Sequence, residues 1–493
     1  MPHSAGSIVR NTVWYTGAVV GQKVISFGYF WLLSSRLAPE TLGVYLGVLS
    51  VVSLAAVGTD LGLLPLLTRE AAKHEQEAVP LARTALAIKL PLVVLTAVVL
   101  WIVMLARGSD ALVLELLVPA SFILLFDAVS SVFYALFRAR QMVWIEAFSL
   151  IVFQSTTLVL GTTALTMTGN PVMLMAALSA ASCVNMLFLF SMGARHLGKI
   201  VRPDFHPARA RHLLRLMPAF AFSNVFQKVY NVADSVLLLF FATPRDVGMY
   251  AVPAKVTTAL QTLVPGAFAT AIYPSMSNYA VHARERLAAL FERSFAYLLM
   301  LVLPMSAGLF LLTDEIIATI WPQYMDARMP FLIMSMALPV VFLAYPTGSL
   351  LNAIGMEKRN SVHRGIATFV NVGVNVALIP RFGVIGAAVA FLASNSLLFI
   401  LDFTVTAGYL GQALRALPGM VARVLLAAAV MSAVVWLTRT FLPLPASVVL
   451  GFLVYGVCLL ATRVLTLNEL HTFLNTVRRR GPEPSFDKLR TGL

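Results

Sequence analysis

Apolar runs about the length of a bilayer crossing follow one another almost without interruption, and this spacing restricts the fold more than any single motif. A helix needs roughly 20 apolar residues to cross a hydrocarbon core. Charged residues, prolines and glycines divide the chain into fourteen such runs: 12–34, 42–66, 82–106, 111–137, 143–167, 171–193, 216–242, 248–275, 294–312, 329–353, 362–379, 384–408, 419–438 and 446–462. Only 12% of the 493 residues are charged, against about 25% in ordinary soluble domains. So few charges cannot cover a water-facing surface. The expected class is therefore an all-α polytopic membrane protein of about 14 transmembrane helices. The first run is too long for a secretory h-region and carries Lys23, so it is expected to be a span, not a cleaved signal. The thirteenth and fourteenth runs would also fit a re-entrant pair.

The charges orient these runs. Lys and Arg concentrate on the cytoplasmic side of short loops. With the N-terminus placed inside, 26 of the 36 basic residues fall in cytoplasmic segments, six lie opposite and four (Lys23, Lys89, Lys228 and Lys255) lie inside spans. Both termini are thus expected in the cytoplasm, in a bacterial inner membrane. Basic residues at span ends account for the net charge of +14 without a nucleic-acid partner.

An internal repeat groups the spans. At an offset of 205 residues, Gln22-Lys23-Val24 matches Gln227-Lys228-Val229, Leu32-Leu33 matches Leu237-Leu238, and Pro39, Gly43 and Tyr45 match Pro244, Gly248 and Tyr250. The first and seventh runs point the same way, so the repeat is parallel. Repeats of this kind build transporters with the substrate site between the halves near the midplane. The expected organisation is two pseudo-symmetric six-helix lobes, 1–193 and 216–408. A cytoplasmic linker, 194–215, holds a short surface helix between them. Two extra helices (409–463) and a cytoplasmic tail (464–493) follow.

Polar residues inside the spans are the first functional candidates, because each lysine at mid-bilayer costs roughly 2.5–3.5 kcal/mol. In the seventh run Asn224, Gln227, Lys228, Asn231, Asp234 and Ser235 share one arc of the helix, and Gln22 and Lys23 occupy the corresponding stripe of the first. A polar stripe on an apolar helix points to a wet interior face. Lys228, Lys23 and Lys255 are read as cavity residues. Lys89 is as well explained by snorkelling beside Arg83. Asp60, Asp127 and Asp234 are either proton or cation sites or counter-ions to the lysines. The in-span prolines can kink helices, although membrane helices tolerate proline in any case.

Enzymatic classes lack support. There is no Walker motif, no Gly-rich dinucleotide turn and no HExxH, and Cys183 and Cys458 belong to no metal-ligand pattern. No outer loop exceeds about 15 residues, too little for the site of a glycan polymerase or ligase. No cofactor is expected beyond a coupling Na+ or H+.

Several stretches resemble a known superfamily. Leu37-Ala-Pro-Glu-Thr-Leu-Gly-Val-Tyr45 is similar to the "LGPxxYGxY" signature of oligosaccharide flippases, as are Thr59-Asp-Leu-Gly-Leu63 and Leu67-Thr-Arg-Glu-Ala71. Leu351-Asn-Ala-Ile-Gly-Met-Glu-Lys358 and Leu378-Ile-Pro-Arg-Phe-Gly-Val-Ile-Gly-Ala387 resemble its later signature. The resemblance implies the multidrug/oligosaccharidyl-lipid/polysaccharide exporter superfamily, and within it the Wzx-like flippases related to the lipid II flippase MurJ. It implies two lobes in a V around a cationic cavity that carries an undecaprenyl-diphosphate-linked oligosaccharide by alternating access. Lys23 and Lys255 lie on helices where that family places basic cavity residues. The second run offers Asp60 and no base, a departure for which Lys228 is a substitute. Lys23, Lys228 and Lys255 would hold the diphosphate, and Gln22, Asn224, Gln227 and Asn231 would meet the sugars. Membrane lipids and other polysaccharide-assembly proteins are the remaining expected partners. The rival in the same superfamily is a cation-coupled multidrug exporter, which predicts an acid-dominated cavity.

Overall fold

The computed structural model describes residues 5–197, 202–415, 417–462 and 464, with side chains from residue 17 onward except at 219, 222–224 and 412. Every described element is helical. In chain order they are α1 (Ala5–Arg36), α2 (Pro39–Asp60), α3 (Leu63–Lys73), α4 (Ala78–Ala106), α5 (Ala111–Ala139), α6 (Val143–Met167), α7 (Pro171–Leu197), α8 (Pro207–Phe241), α9 (Pro244–Gln261), α10 (Ala267–His282), α11 (Arg284–Leu311), α12 (Thr313–Ile320), α13 (Arg328–Ala353), α14 (Glu357–Leu410), α15 (Leu417–Thr438) and α16 (Leu444–Ala461). Ten of the described helices are long and apolar enough to cross a membrane, α15 and α16 among them. Large apolar side chains such as Val94, Ile102, Phe452 and Val457 stand exposed on the flanks. In water they would be a liability, and in lipid they are solvated. The chain is a multi-pass membrane protein.

Helices α1–α7 pack mainly on one another, as do α9–α14, and α15 and α16 lie against α11. Tyr455 of α16 donates to the Met300 carbonyl at 2.9 Å and Arg439, just beyond α15, to that of Leu311 at 2.9 Å. These bonds fasten the last pair to the second group.

Several runs differ from their sequence-based bounds, each for a local reason. The second run is broken at Leu61 and Gly62, both with positive φ (41° and 80°). The break is imposed by packing: a Cβ on Gly62 would stand 2.5 Å from the Ala221 backbone N. The eighth run is α9 and α10 joined by a π-helical stretch, Thr262–Gly266, which holds Pro265. Proline removes a backbone donor, and the wider turn accommodates the loss. The eleventh and twelfth runs are two arms of α14 that fold back at Gly383, with φ 52° and ψ −130°. Among the described residues the linker holds no separate surface helix. Residues from Pro207 are the first turns of α8, started by Pro207 in its first turn. They dock on the first lobe through Arg209–Glu77 (2.9 Å) and His212–Glu70 (3.1 Å).

Outer and inner below follow the orientation expected from the charge pattern. Contacts between the two halves run along α2 with α8 and α9 and from α3 and α4 to α8, and one set of them lies at the outer end. There α2 and α9 cross backbone to backbone at Gly43 and Gly248. A methyl on Gly248 would overlap the Pro39 carbonyl oxygen and stand 2.8 Å from its carbon, and one on Gly43 would stand 2.7 Å from the Pro244 carbonyl carbon. Around the crossing, Arg245 bridges Glu40 (2.6 Å) and Asp326 (2.7 Å). The Trp321 indole N–H donates to Ser34 Oγ at 2.8 Å, and Tyr324 Oη to the Leu37 carbonyl at 3.2 Å. Arg107 donates to the Leu239 carbonyl from the far side. The V is shut at this end.

Candidate functional site

Beneath the outer contacts lies a cavity of about 770 Å³ lined from both groups of helices. Its wall carries Lys23 and Gln22 from α1, Asp60 from α2, Lys89 from α4, Asp127 from α5, Gln227 and Lys228 from α8, and Lys255 from α9. The positions follow from helix geometry. Gln22, Lys23 and Ser26 share one face of α1, and Gln227 and Lys228 hold the corresponding place on α8.

The four intramembrane lysines divide into two kinds. Lys23 of α1 and Lys255 of α9 come from different groups of helices and line the same cavity. Among the described residues no acid pairs with either. Lys255 is exposed to the cavity, with its ammonium 5.8 Å from the centre of the Phe30 ring. Lys89 and Lys228 are compensated. Lys89 does not snorkel. Its side chain is 2% exposed, and its ammonium meets Asp60 at 2.7 Å and Ser131 Oγ. Lys228 sits in the field of Asp127 and Asp60. Two acids and two bases thus form a locally neutral cluster, and the uncompensated positive charge of the wall lies with Lys23 and Lys255.

The polar candidates are dispersed. Gln22 donates to Gln154 Oε1 at 3.4 Å, and Gln227 lines the cavity. Asn231 is exposed and does not line it. The Asn224 side chain lies outside the described residues. Asp234 has left the cavity altogether: it is buried behind it and pairs with no lysine among the described residues. It accepts from Tyr250 Oη (2.6 Å), Asn371 Nδ2 (3.0 Å) and Asn375 Nδ2 (2.7 Å). The two asparagines are one helical turn apart on α14, so both amides reach one carboxylate. Asn375 Oδ1 is buried without a partner among the described residues. The sequence reading missed Asn371, Asn375 and Gln154. The spacing of the asparagines, i and i+4 in an apolar span, was the available signal. It also left Asp402 unremarked as an acid near a span end, whereas Asp402 is 1% exposed.

This arrangement has known counterparts. The backbone matches lipid II flippase MurJ in its inward closed conformation with a TM-score of 0.74, over 90% of this chain and 98% of that one, at 15% identity. It matches an inward-facing multidrug resistance MATE transporter with a TM-score of 0.63, over 80% and 96%, at 16% identity. At such identities the likeness is one of fold alone, the fold shared by these two transporters. Residues 8–280 match the family described as polysaccharide biosynthesis protein, and the chain belongs to that family. Two curated relatives are from Haloferax volcanii. The probable flippase AglR is 30% identical over 179 residues, 35% of this chain and 37% of that protein. The probable low-salt glycan biosynthesis flippase Agl15 is 26% identical over 216 residues, 43% and 44%. The matched stretch spans less than half of either relative.

Proposed function

We propose that the protein is a flippase that moves an undecaprenyl-diphosphate-linked oligosaccharide from the inner to the outer leaflet by alternating access. The observation that carries the reading is the pair Lys23 and Lys255. With no acid paired to either among the described residues, the two ammonium groups leave one cavity wall positive, and a diphosphate reaching both would bind them. Lys228 belongs to the same wall. Its position between Asp60 and Asp127 gives it a second task, that of passing positive charge between cargo and acids. Gln22, Gln227 and Gln154 would meet the first sugars, and the lipid tail would stay in the bilayer. The topology proposed with this reading has fourteen crossings, both ends in the cytoplasm, and lobes divided near 197–207, with α15 and α16 as the added pair. A multidrug cation exporter is less well served by this wall, where four lysines stand against two acids.

Coupling to Na+ or H+ has a candidate seat at Asp234, where, among the described residues, the buried carboxylate has no cationic partner and Asn375 Oδ1 is a spare acceptor. The test of the main reading is complementation of surface glycan assembly by Lys23→Ala, Lys255→Ala and the double variant. Each should insert normally and lose assembly. Normal assembly by the double variant would overturn the diphosphate assignment.

A further inference from the structure

The two arms of α14 meet at Gly383 and run side by side toward the inner face. On their inner thirds, His363 of the first arm and Asp402 of the second form a close pair, Nδ1 to Oδ1 at 2.7 Å. Asp402 is 1% exposed and His363 9%. Neither reaches the central cavity, and the mechanism above uses neither. One turn nearer the inner face, Asn360 and Thr406 carry a buried Oδ1 and a buried Oγ1 with no partner among the described residues. Asn360 Nδ2 donates to Asn352 Oδ1 of α13 at 2.9 Å. Gly348 of α13 completes the wall: a Cβ there would stand 3.7 Å from Asn360 Nδ2 and 3.9 Å from Asp402 Oδ2. Three helices therefore enclose a polar core with spare acceptors. At the level of Asn360 and Thr406 a separate inner-surface pocket of about 470 Å³ opens, lined by Arg359, Thr404 and Gly408 among others.

We propose that His363 and Asp402 form a proton-binding site, loaded from the inner aqueous face, whose occupancy decides whether the inner ends of the α14 arms can close. The proton balance is simple. With Asp402 ionised, Nδ1 carries the hydrogen that is donated to it. A proton taken from water adds at Nε2, and the pair goes from a net charge of −1 to zero. A buried pair can be sealed from water only when its charge is compensated. The loaded pair therefore permits closure, and the unloaded pair requires water between the arms. Other charges and titratable groups bear on it. Arg364 on the first arm acts on Asp402 and also on Tyr345 of α13 and Tyr230 of α8. At the inner rim Arg284 of α11 donates to the Tyr409 carbonyl, beside Arg359. The pair thus lies between charges of both signs, the Asp402 carboxylate and these guanidinium groups. That opposition is what a switch needs, because histidine is the side chain whose charge ordinarily changes between about pH 5 and 8.

This inference rests on the transporter reading only for which face is inner. The test uses the full chain in lipid nanodiscs, with spin labels at Glu357→Cys and Ala413→Cys, exposed positions at the inner ends of the two arms, and the native cysteines replaced by serine. The distance between the inner ends of the two arms is followed from pH 5 to 8. The unmodified pair should give a one-proton transition. His363→Gln and Asp402→Asn should each remove it, whereas His212→Gln, at the other histidine–acid pair, should retain it. A transition that survives both α14 variants, that is lost in His212→Gln, or that never occurs overturns the proposal. Should a variant fail to fold, histidine NMR of the unaltered chain decides: one of eight imidazoles must titrate in this range and lose its signal on paramagnetic labelling at Glu357→Cys. No imidazole doing so also overturns it. Because no cargo is present, failure here leaves the flippase reading untouched, and failure of the Lys23 and Lys255 variants leaves this one untouched.

Discussion

Replacing Gly248 by alanine tests how the outer end of the V is held shut. The added methyl overlaps the Pro39 carbonyl oxygen and stands 2.8 Å from its carbon. Non-bonded carbons prefer about 3.5–4.0 Å, so α2 and α9 must part by roughly 1 Å. The obstacle is backbone, so no side chain can rotate aside. Overpacking of this kind costs about 1–3 kcal/mol; with the crossing as the outer closure, the cost falls on the outward-closed state alone. That shifts the equilibrium toward outward-open by roughly 5- to 150-fold. An open state populated at about 1% would rise to between about 5% and 60%. Spin labels at Asn170→Cys and Gln323→Cys, on outer exposed positions of the two lobes, should show a longer-distance population in Gly248→Ala. Gly43→Ala should do the same through Pro244. A distance distribution identical to wild type in both variants, with the protein folded, would refute the claim that this crossing is the outer closure.

Three further outcomes follow from the same coordinates. Asp60→Asn leaves Lys89 charged at 2% side-chain exposure and should destabilise the protein by about 3–5 kcal/mol. Thermal unfolding in detergent would read this, and Lys89→Met should restore part of the loss in the double variant. The Glu40 carboxyl is held below its usual range by its own backbone N–H and by Arg245. The group binds its proton less readily in the closed state, so its contribution is present at neutral pH and fades only as pH falls below about 4. The outer label distance should therefore hold from pH 7 to 5 and lengthen in stronger acid, and Glu40→Gln should abolish that acid response. Lys228→Ala should reduce glycan assembly and, with Asp60 and Asp127 left short of a cation, should also lower thermal stability, whereas Lys23→Ala should lower assembly alone.

The fold was legible because lipid leaves so few solutions. Backbone groups must be satisfied within each segment, so run length and loop charge already gave the helices, and the match of Pro39, Gly43 and Tyr45 to Pro244, Gly248 and Tyr250 gave the lobes. The breaks were not legible. Gly62 takes its left-handed turn because α8 presses on it, and nothing in Asp60-Leu-Gly reports α8. Lys23, Lys228 and Lys255 could be placed on a wet face by stripe and depth. Their partners could not, since pairing joins helices distant in sequence: Lys89 meets Asp60 29 residues away, and Asp234 meets Asn375 at a separation of 141. Asp402 gave no signal, because depth along a helix says little about how closely the neighbouring arm covers it.

The crossing of α2 and α9 also carries a history. Gly43 touches Pro244 and Gly248 touches Pro39, so each half offers the other the same surface. Such reciprocity is the mark of a two-fold dimer. Two separate six-helix chains could have met in this way, glycine against the partner's proline. They could not have made the Arg245–Glu40 bridge, for these residues occupy equivalent places, 205 apart, and identical chains would set like charge beside like. Joining two copies in one polypeptide released that constraint, and the bridge is a contact that only a fused duplication can own.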